Sequence, residues 1–189
     1  AESTARENDR FFEHYKAGTL DIQAFLAFQL SPLGRFKRAE LDELHREYMR
    51  QHIVPLITDK ARALVKQHQD AGDLVLIITA TNRFVTGPIA REFGIEHLIA
   101  TEPEIVDGEY TGKPTGIPCF QGGKITRLEH WLQERGEKLA DFEESWFYSD
   151  SRNDLPLLEQ VTHPVAVDPD DTLRAHAEAH GWPVISLRH

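Results

Sequence analysis

Three short clusters hold the side chains whose types and spacing suit chemistry. The first is Thr79-Ala80-Thr81-Asn82, which follows the apolar run Leu74–Ile78 and precedes a helical stretch. Two hydroxyls, an amide and free backbone N–H groups at a helix entrance make an anion site. The competing reading is that Thr79 and Thr81 simply cap the helix. The second is Ser149-Asp150-Ser151-Arg152-Asn153-Asp154. Its two carboxylates, one at a strand tip and one where a helix begins, suit a hard oxygen-seeking cation such as Mg²⁺. The same spacing also describes a helix start with Asp150 or Ser151 as N-cap and Asp154 facing the macrodipole. The third is Gln121-Gly122-Gly123-Lys124 at another helix start. There the glycines allow close backbone approach and the lysine supplies a point charge for a phosphate. A merely solvated lysine is the alternative.

Other candidates carry less. His176 and His180 stand four apart but lack the order of a zincin motif and a third ligand, so an exposed helix face is expected. No Gly-x-Gly-x-x-Gly follows a strand, and there is no Gly-x-Ser-x-Gly. Cys119 has no evident base and reads as a small, partly buried residue.

The elements that must position these clusters follow from periodicity. Residues 2–16 read as an amphipathic helix stopped by Gly18. Thr19 or Asp21 caps a second helix that ends before Ser31-Pro32. Residues 39–52 form a third, and Pro55 begins a fourth. After Gly72 the texture changes: Leu74–Ile78 is continuously apolar, as in a strand covered on both faces. Helix 85–93, strand 97–101, helix 124–135, strand 145–148, helix 155–161, strand 164–167, helix 172–180 and strand 183–187 follow. Asp107-Gly108 lies between two β-prone pairs, a hairpin signal. Alternating strands and helices predict an α/β layered fold with a mainly parallel sheet.

Composition bounds the partners. The chain has 189 residues, 21 basic and 31 acidic side chains and a net charge of −10. That balance disfavours a nucleic-acid or anionic-membrane partner. The longest apolar run is far short of the ~20 residues of a membrane span. One cysteine cannot form an internal disulfide, and no secretion signal is evident, so a cytoplasmic location is expected.

Taken in order, Thr79 at a strand end, Lys124 on a helix start and Tyr148-Ser149-Asp150-Ser151-Arg152-Asn153-Asp154 resemble motifs two, three and four of the haloacid dehalogenase superfamily. Pro164–Pro169 and Gly181–Ile185 resemble its subfamily IB, which includes phosphoserine phosphatase. Ala80–Pro88 is similar to bacterial members associated with histidinol phosphate hydrolysis. The resemblance runs from about Arg6 to the C-terminus. It implies a Rossmann-like three-layer parallel sheet with a helical cap, residues 1–66 forming the cap region and return helix and 67–189 the core. It implies that Thr79 and the backbone at Ala80 hold phosphoryl oxygens. Lys124 neutralises phosphate and nucleophile, and Asn153 positions phosphate or water. Asp150 coordinates Mg²⁺ and Asp154 binds or orients its shell. Arg10, Lys16 and Arg83 are candidate substrate contacts, set against a solvated-surface reading.

The departure is the family's first motif, a strand ending in a nucleophilic aspartate with a second aspartate two residues on. Nothing of that kind precedes the cap helices; Asp9 lies in a helical segment, and Asp21 has no apolar strand before it. The family places that strand between those ending at Ile78 and Tyr148. Without it, buried unpaired backbone groups cost ~1–3 kcal/mol each, against a total stability of roughly 5–15 kcal/mol. The expectation is that the natural protein carries a further N-terminal segment and that the 189-residue chain alone is inactive. The full protein is expected to be a Mg²⁺-dependent phosphomonoesterase using a phospho-aspartyl intermediate. Histidinol phosphate is preferred as its substrate and phosphoserine is the alternative. An inactive phosphate-binding regulatory module is the reading from another class.

Overall fold

The structure is a computed structural model and describes residues 2–17 and 19–188, the side chains of residues 2–5, 15 and 16 excepted. Four helices come first: α1 (Glu2–Ala17), α2 (Ile22–Leu30), α3 (Arg38–Tyr48) and α4 (Asp59–Ala71). Asp21 caps α2, its carboxylate accepting from the Gln23 and Ala24 N–H groups at 3.0 and 3.1 Å. The expected stop at Gly18 lies outside the described residues.

The third and fourth helices differ from expectation. Helix α3 ends at Tyr48, and the chain loosens into a wide π-type turn over Met49–Ile53. Pro55 does not start α4; it sits in a single tight turn, Val54–Leu56. Ile57 is then extended, and the Thr58 hydroxyl accepts from the Ala61 N–H to begin the helix. Proline suits a first turn, but a β-region residue followed by a threonine cap gives the stronger start signal. Position 66 therefore lies inside one continuous helix.

The remainder alternates. It comprises β1 (Leu76–Asn82), α5 (Arg83–Glu92), β2 (His97–Val106), β3 (Glu109–Thr115), α6 (Gly122–Glu134), β4 (Trp146–Ser149), α7 (Leu155–Leu158), β5 (His163–Val167), α8 (Asp171–His180) and β6 (Val184–Ile185). Asp107 and Gly108 both have positive φ, 51° and 82°, as the hairpin turn joining β2 and β3 requires. Strand β1 runs past Ile78 to Asn82, and Asn82, not Thr79 or Thr81, caps α5 by accepting from the Val85 N–H at 3.1 Å. Helix α7 closes after one turn at Leu158, short of Val161.

The strands form two groups of three. Strand β1 pairs in parallel with β2, and β2 antiparallel with β3; β4 pairs in parallel with β5, and β5 with β6. Among the described residues no strand pairs with the outer edge of β1 or of β4. Ile77 packs with Ala90 of α5, while Leu76 and Ile78 pack with Leu128 and Leu132 of α6, so β1 is covered on both faces. The cap helices dock through Leu30, Leu33 and Leu41 against Tyr110 of the hairpin and Phe84.

Helix α4 spans the two strand groups. Its Thr58 hydroxyl donates to the Leu187 carbonyl, and His68 Nε2 meets the Tyr148 hydroxyl at 2.8 Å. On the other side Arg62 pairs with Glu92 at 2.7 Å, and the Gln69 amide donates to the Gly94 carbonyl. Cys119 is fully rather than partly buried, closing the core beside Ile99.

Candidate active site

A cavity of about 590 Å³ opens where β1 and β4 end and is lined by residues 78–81 and 147–151. Thr79, Ala80, Lys124, Asp150, Asn153 and Asp154 all line it, so three clusters distant in sequence meet at one place. Parallel strands bring this about, because the loops after their carboxyl ends all emerge on one side.

Lys124 and Asp154 form a buried ion pair at 2.5 Å, each side chain only 8% exposed. The other carboxylate oxygen of Asp154 accepts from the Ser149 hydroxyl at 2.5 Å. Both Asp154 oxygens are therefore engaged. Asp154 orients Lys124 while Ser149, at the tip of β4, orients Asp154. The Ser149 hydroxyl also accepts from the Ser151 N–H at 3.1 Å, folding the loop back on the strand.

Asp150 is different. Its side chain opens to the cavity, and partial burial, the largest influence, raises its carboxyl above the ordinary range. Its own backbone N–H and Lys124 oppose that shift, while the negative charges of Asp154 and Asp170 add to it. A carboxylate held up in this way gains from a nearby cation. Among the described residues no group of three or more His, Cys, Asp or Glu side chains is gathered to hold a metal ion. A single carboxylate facing an open cavity is a donor set that fits Mg²⁺, an ion that takes one or two carboxylates and fills the rest of its shell with water. Asp154 fits better beside that shell than in it, since its oxygens are taken.

Another wall of the cavity is built from α6 and the turn after β1. Thr79 Oγ1 accepts from the Thr81 N–H at 3.1 Å, curling the turn over the cavity. Gly123 is required for packing: a Cβ there would collide with the Pro118 carbonyl oxygen. That close approach seats the first turn of α6 and with it Lys124. Gln121 adopts φ 48°, ψ −124°, and its amide donates to Asn153 Oδ1 at 3.0 Å. Gln121 thus tethers α6 to the Asp150 loop, in a backbone conformation uncommon for a non-glycine residue.

Two contributors escaped the sequence reading. Asp170 accepts from the Arg152 and Leu173 N–H groups at 2.7 and 2.8 Å, and its own N–H donates to the Asp150 carbonyl at 2.9 Å. It braces the Asp150 loop while capping α8. Ser149 was visible only as part of a motif; its link to Asp154 depends on the loop's fold.

Arg10 and Arg83, two of the suggested substrate contacts, do not join this cavity. Arg10 pairs with Glu7 on the exposed face of α1. Arg83 points the other way, its guanidinium forked against Glu102 at 2.8–3.0 Å and donating to the Leu98 carbonyl. Lys16 has its side chain outside the described residues.

The family model described as haloacid dehalogenase-like hydrolase matches residues 2–159. The chain belongs to that family. A protein named histidinol-phosphatase from Neisseria meningitidis serogroup C is 48% identical over 189 residues, all of this chain and 85% of that protein. A phosphoserine phosphatase from Mycobacterium tuberculosis is 36% identical over 150 residues, 79% of this chain but 48% of its own length. Among solved structures, a Bordetella pertussis Tohama I protein of unknown function superposes with a TM-score of 0.90 at 49% identity, covering 96% of this chain and 81% of that one. A substrate-bound phosphoserine phosphatase shares the fold at a TM-score of 0.68 and 18% identity, covering 96% and 80%. The family fold is the expected Rossmann-like α/β domain with a helical cap. No described helix is long and apolar enough to cross a membrane.

Proposed function

We propose that this haloacid dehalogenase-family chain is the greater part of a Mg²⁺-dependent phosphomonoesterase for a small amino-acid-like phosphate, with histidinol phosphate as substrate. The observation that carries the reading is the meeting of Thr79, Lys124, Asp150, Asn153 and Asp154 on one cavity. Identity to a histidinol-phosphatase over 85% of its length favours that substrate over phosphoserine.

Thr79 and the backbone at Ala80 bind phosphoryl oxygens, and Lys124, held by Asp154, neutralises charge that spreads over them in the transition state. Asn153 positions the phosphate. Asp150 would hold Mg²⁺, with Asp154 and its neighbours ordering the surrounding water. When bound, the ion supplies a second positive charge to the phosphoryl oxygens.

The nucleophile is proposed to be an aspartate on a strand that fills the slot between β1 and β4. Its carboxylate oxygen bonds to phosphorus as the phosphorus–oxygen bond to the alcohol breaks. The departing oxygen takes a proton from a second acid on that strand. Water then attacks the phosphoryl-aspartate, gives its proton to that acid's carboxylate and releases inorganic phosphate. The supports are the outer edges of β1 and β4, which no strand among the described residues pairs and which open on the same cavity, and the prior engagement of Asp154. The 189-residue chain by itself is then a phosphate binder without turnover.

Phosphate release should be measured with histidinol phosphate, phosphoserine and a sugar phosphate, with Mg²⁺ and with chelator. The assay should use the 189-residue chain and a form supplied with an apolar strand ending Asp-x-Asp ahead of it. The supplied form should show the highest kcat/KM on histidinol phosphate, and Asp150→Asn should remove both activity and Mg²⁺ dependence. A helix cap would tolerate that asparagine. Turnover by the bare chain would defeat the missing-nucleophile reading, and preference for the sugar phosphate would defeat the substrate.

A further inference from the structure

A second cavity, of about 1040 Å³, lies between α3 and α5 and shares no lining residue with the first. Its floor is aromatic. His45 meets Phe84 edge to face at 5.0 Å between ring centres, and Phe84 meets Tyr110 likewise at 5.5 Å. Its rim is cationic. Arg38, Arg46 and Arg83 are engaged with Asp42, Glu43 and Glu102. Among the described residues the side chains of Arg50 and Arg91, which also line the cavity, have no hydrogen bond or ion pair. The remaining acid on the rim, Glu92, is taken by Arg62. Arg91 lies over Gly87, its Nη1 3.7 Å from where a Cβ on that glycine would be, an ordinary contact distance.

His45 is the telling residue. It is 7% exposed, and neither ring nitrogen has a hydrogen-bond partner. A buried imidazole with both nitrogens unmatched costs stability, on the order of 1–3 kcal/mol for each group. Apolar side chains of similar size would avoid that cost. A ligand that hydrogen-bonds the ring would remove it.

We propose that this cavity is a second ligand site for a small organic anion carrying a flat ring. Arg50 and Arg91 hold its charged group, and His45 hydrogen-bonds its ring. The flat ring follows from the edge-to-face aromatic floor, where Phe84 is the more exposed ring and Arg38 stands over Tyr110 at 4.6 Å. The charge follows from two guanidinium groups without counter-ions, the fork that suits carboxylate. Burial also keeps the His45 ring below its ordinary pKa, leaving a neutral imidazole with one donor and one acceptor nitrogen. A ligand seated here touches a cap helix and a core helix together. The site stands apart from the phosphatase reading, which does not use its residues.

The test is calorimetric titration of the 189-residue chain with pyridine-3-carboxylate, using uncharged pyridine-3-carboxamide as control. Saturable binding of the carboxylate is expected, with a Kd on the order of 0.1–1 mM for so few atoms. The amide should bind at least ~10-fold more weakly, as should the carboxylate to a combined R50Q/R91Q variant. Both arginines are exposed, so that variant should keep its fold. Thr79→Val, in the first cavity, should leave carboxylate binding unchanged. In the unmodified protein the His45 ring resonances should shift on saturation, a readout independent of any variant. No saturable binding, equal binding of the amide, undiminished binding to R50Q/R91Q, loss with Thr79→Val, or an unmoved His45 signal would each overturn the site.

Discussion

At the scale of single residues, two buried groups dominate, and they behave in opposite ways. Lys124 and Asp154 satisfy one another, so removing either leaves a charge buried alone. Lys124→Met should therefore destabilise the chain by ~3–5 kcal/mol. The double change Lys124→Met with Asp154→Leu should cost much less than the sum, as urea midpoints at constant m-value would show. Neither ring nitrogen of His45 has a hydrogen bond of normal geometry, and the Val85 backbone offsets its burial only in part. Its pKa lies below 6.5 in the fold, chiefly through burial and also through the Arg91 charge, although the Val85 backbone and Asp42 pull the other way. Below pH 6.5 the unfolded chain binds a proton that the folded chain refuses, so stability falls as pH drops through that value and levels off below the folded pKa. His45→Phe should flatten this stretch of the stability–pH curve, measured by thermal melts between pH 7 and the onset of acid unfolding. A slope identical in the variant would show that His45 does not titrate differently in the two states.

At the scale of elements, the site depends on how loops are braced more than on their motif residues. Gly123 sets the depth of α6 against the Pro118 carbonyl, so Gly123→Ala must push the helix start outward. Phosphate affinity should fall at least ~10-fold with a stability loss of about 1–3 kcal/mol, read by phosphate titration and chemical denaturation. Asp170 ties the Asp150 loop to the start of α8. Asp170→Ala should lose a cap, about 1 kcal/mol, and weaken Mg²⁺ binding although Asp170 lines neither cavity. Asp170→Asn should keep much of the cap. Equal Mg²⁺ affinity in Asp170→Ala and the parent, by titration, would confine Asp170 to capping. Periodicity located most of these elements because α1, α3, α4, α5, α6 and α8 each show an apolar face. It misplaced the ends of α3 and α4, where the π-type turn at Met49–Ile53 and the Thr58 cap decide. Neither leaves a periodic signal.

At the scale of the whole molecule, no strand among the described residues lies between the two strand groups. Helix α4 reaches both, through Tyr148 and Leu187 on one side and Glu92 and Gly94 on the other. Leu76, Ile78 and Phe147 share one apolar cluster beneath. The amides on the outer edges of β1 and β4 should then exchange with solvent deuterium far faster than those facing β2 and β5. Supplying the proposed strand should slow the outer set, and protection of those edges in the bare chain would contradict an open slot. Removing one of the two α4 links with Tyr148→Phe should loosen the β4 group preferentially, visible as faster exchange in β4 and β5 with β1 and β2 little changed.

The fold class, the strand-helix alternation, the Asp-Gly hairpin and the three polar clusters were legible in the chain, because hydrophobic period and turn chemistry are local properties. The resemblance joined Thr79, Lys124 and Asp150 into one site before any contact was known. Tertiary structure alone decided which carboxylate is free. Spacing put one at a strand tip and one at a helix start, but not which would be engaged; Lys124 and Ser149 close on Asp154 and leave Asp150 facing the cavity. It also placed Arg83 away from the first cavity and showed Asp170 behind the loop. The same is true of His45, an ordinary helical residue until α3 packs against α5. Long-range contacts set burial and partner choice, and no spacing along a chain encodes them directly.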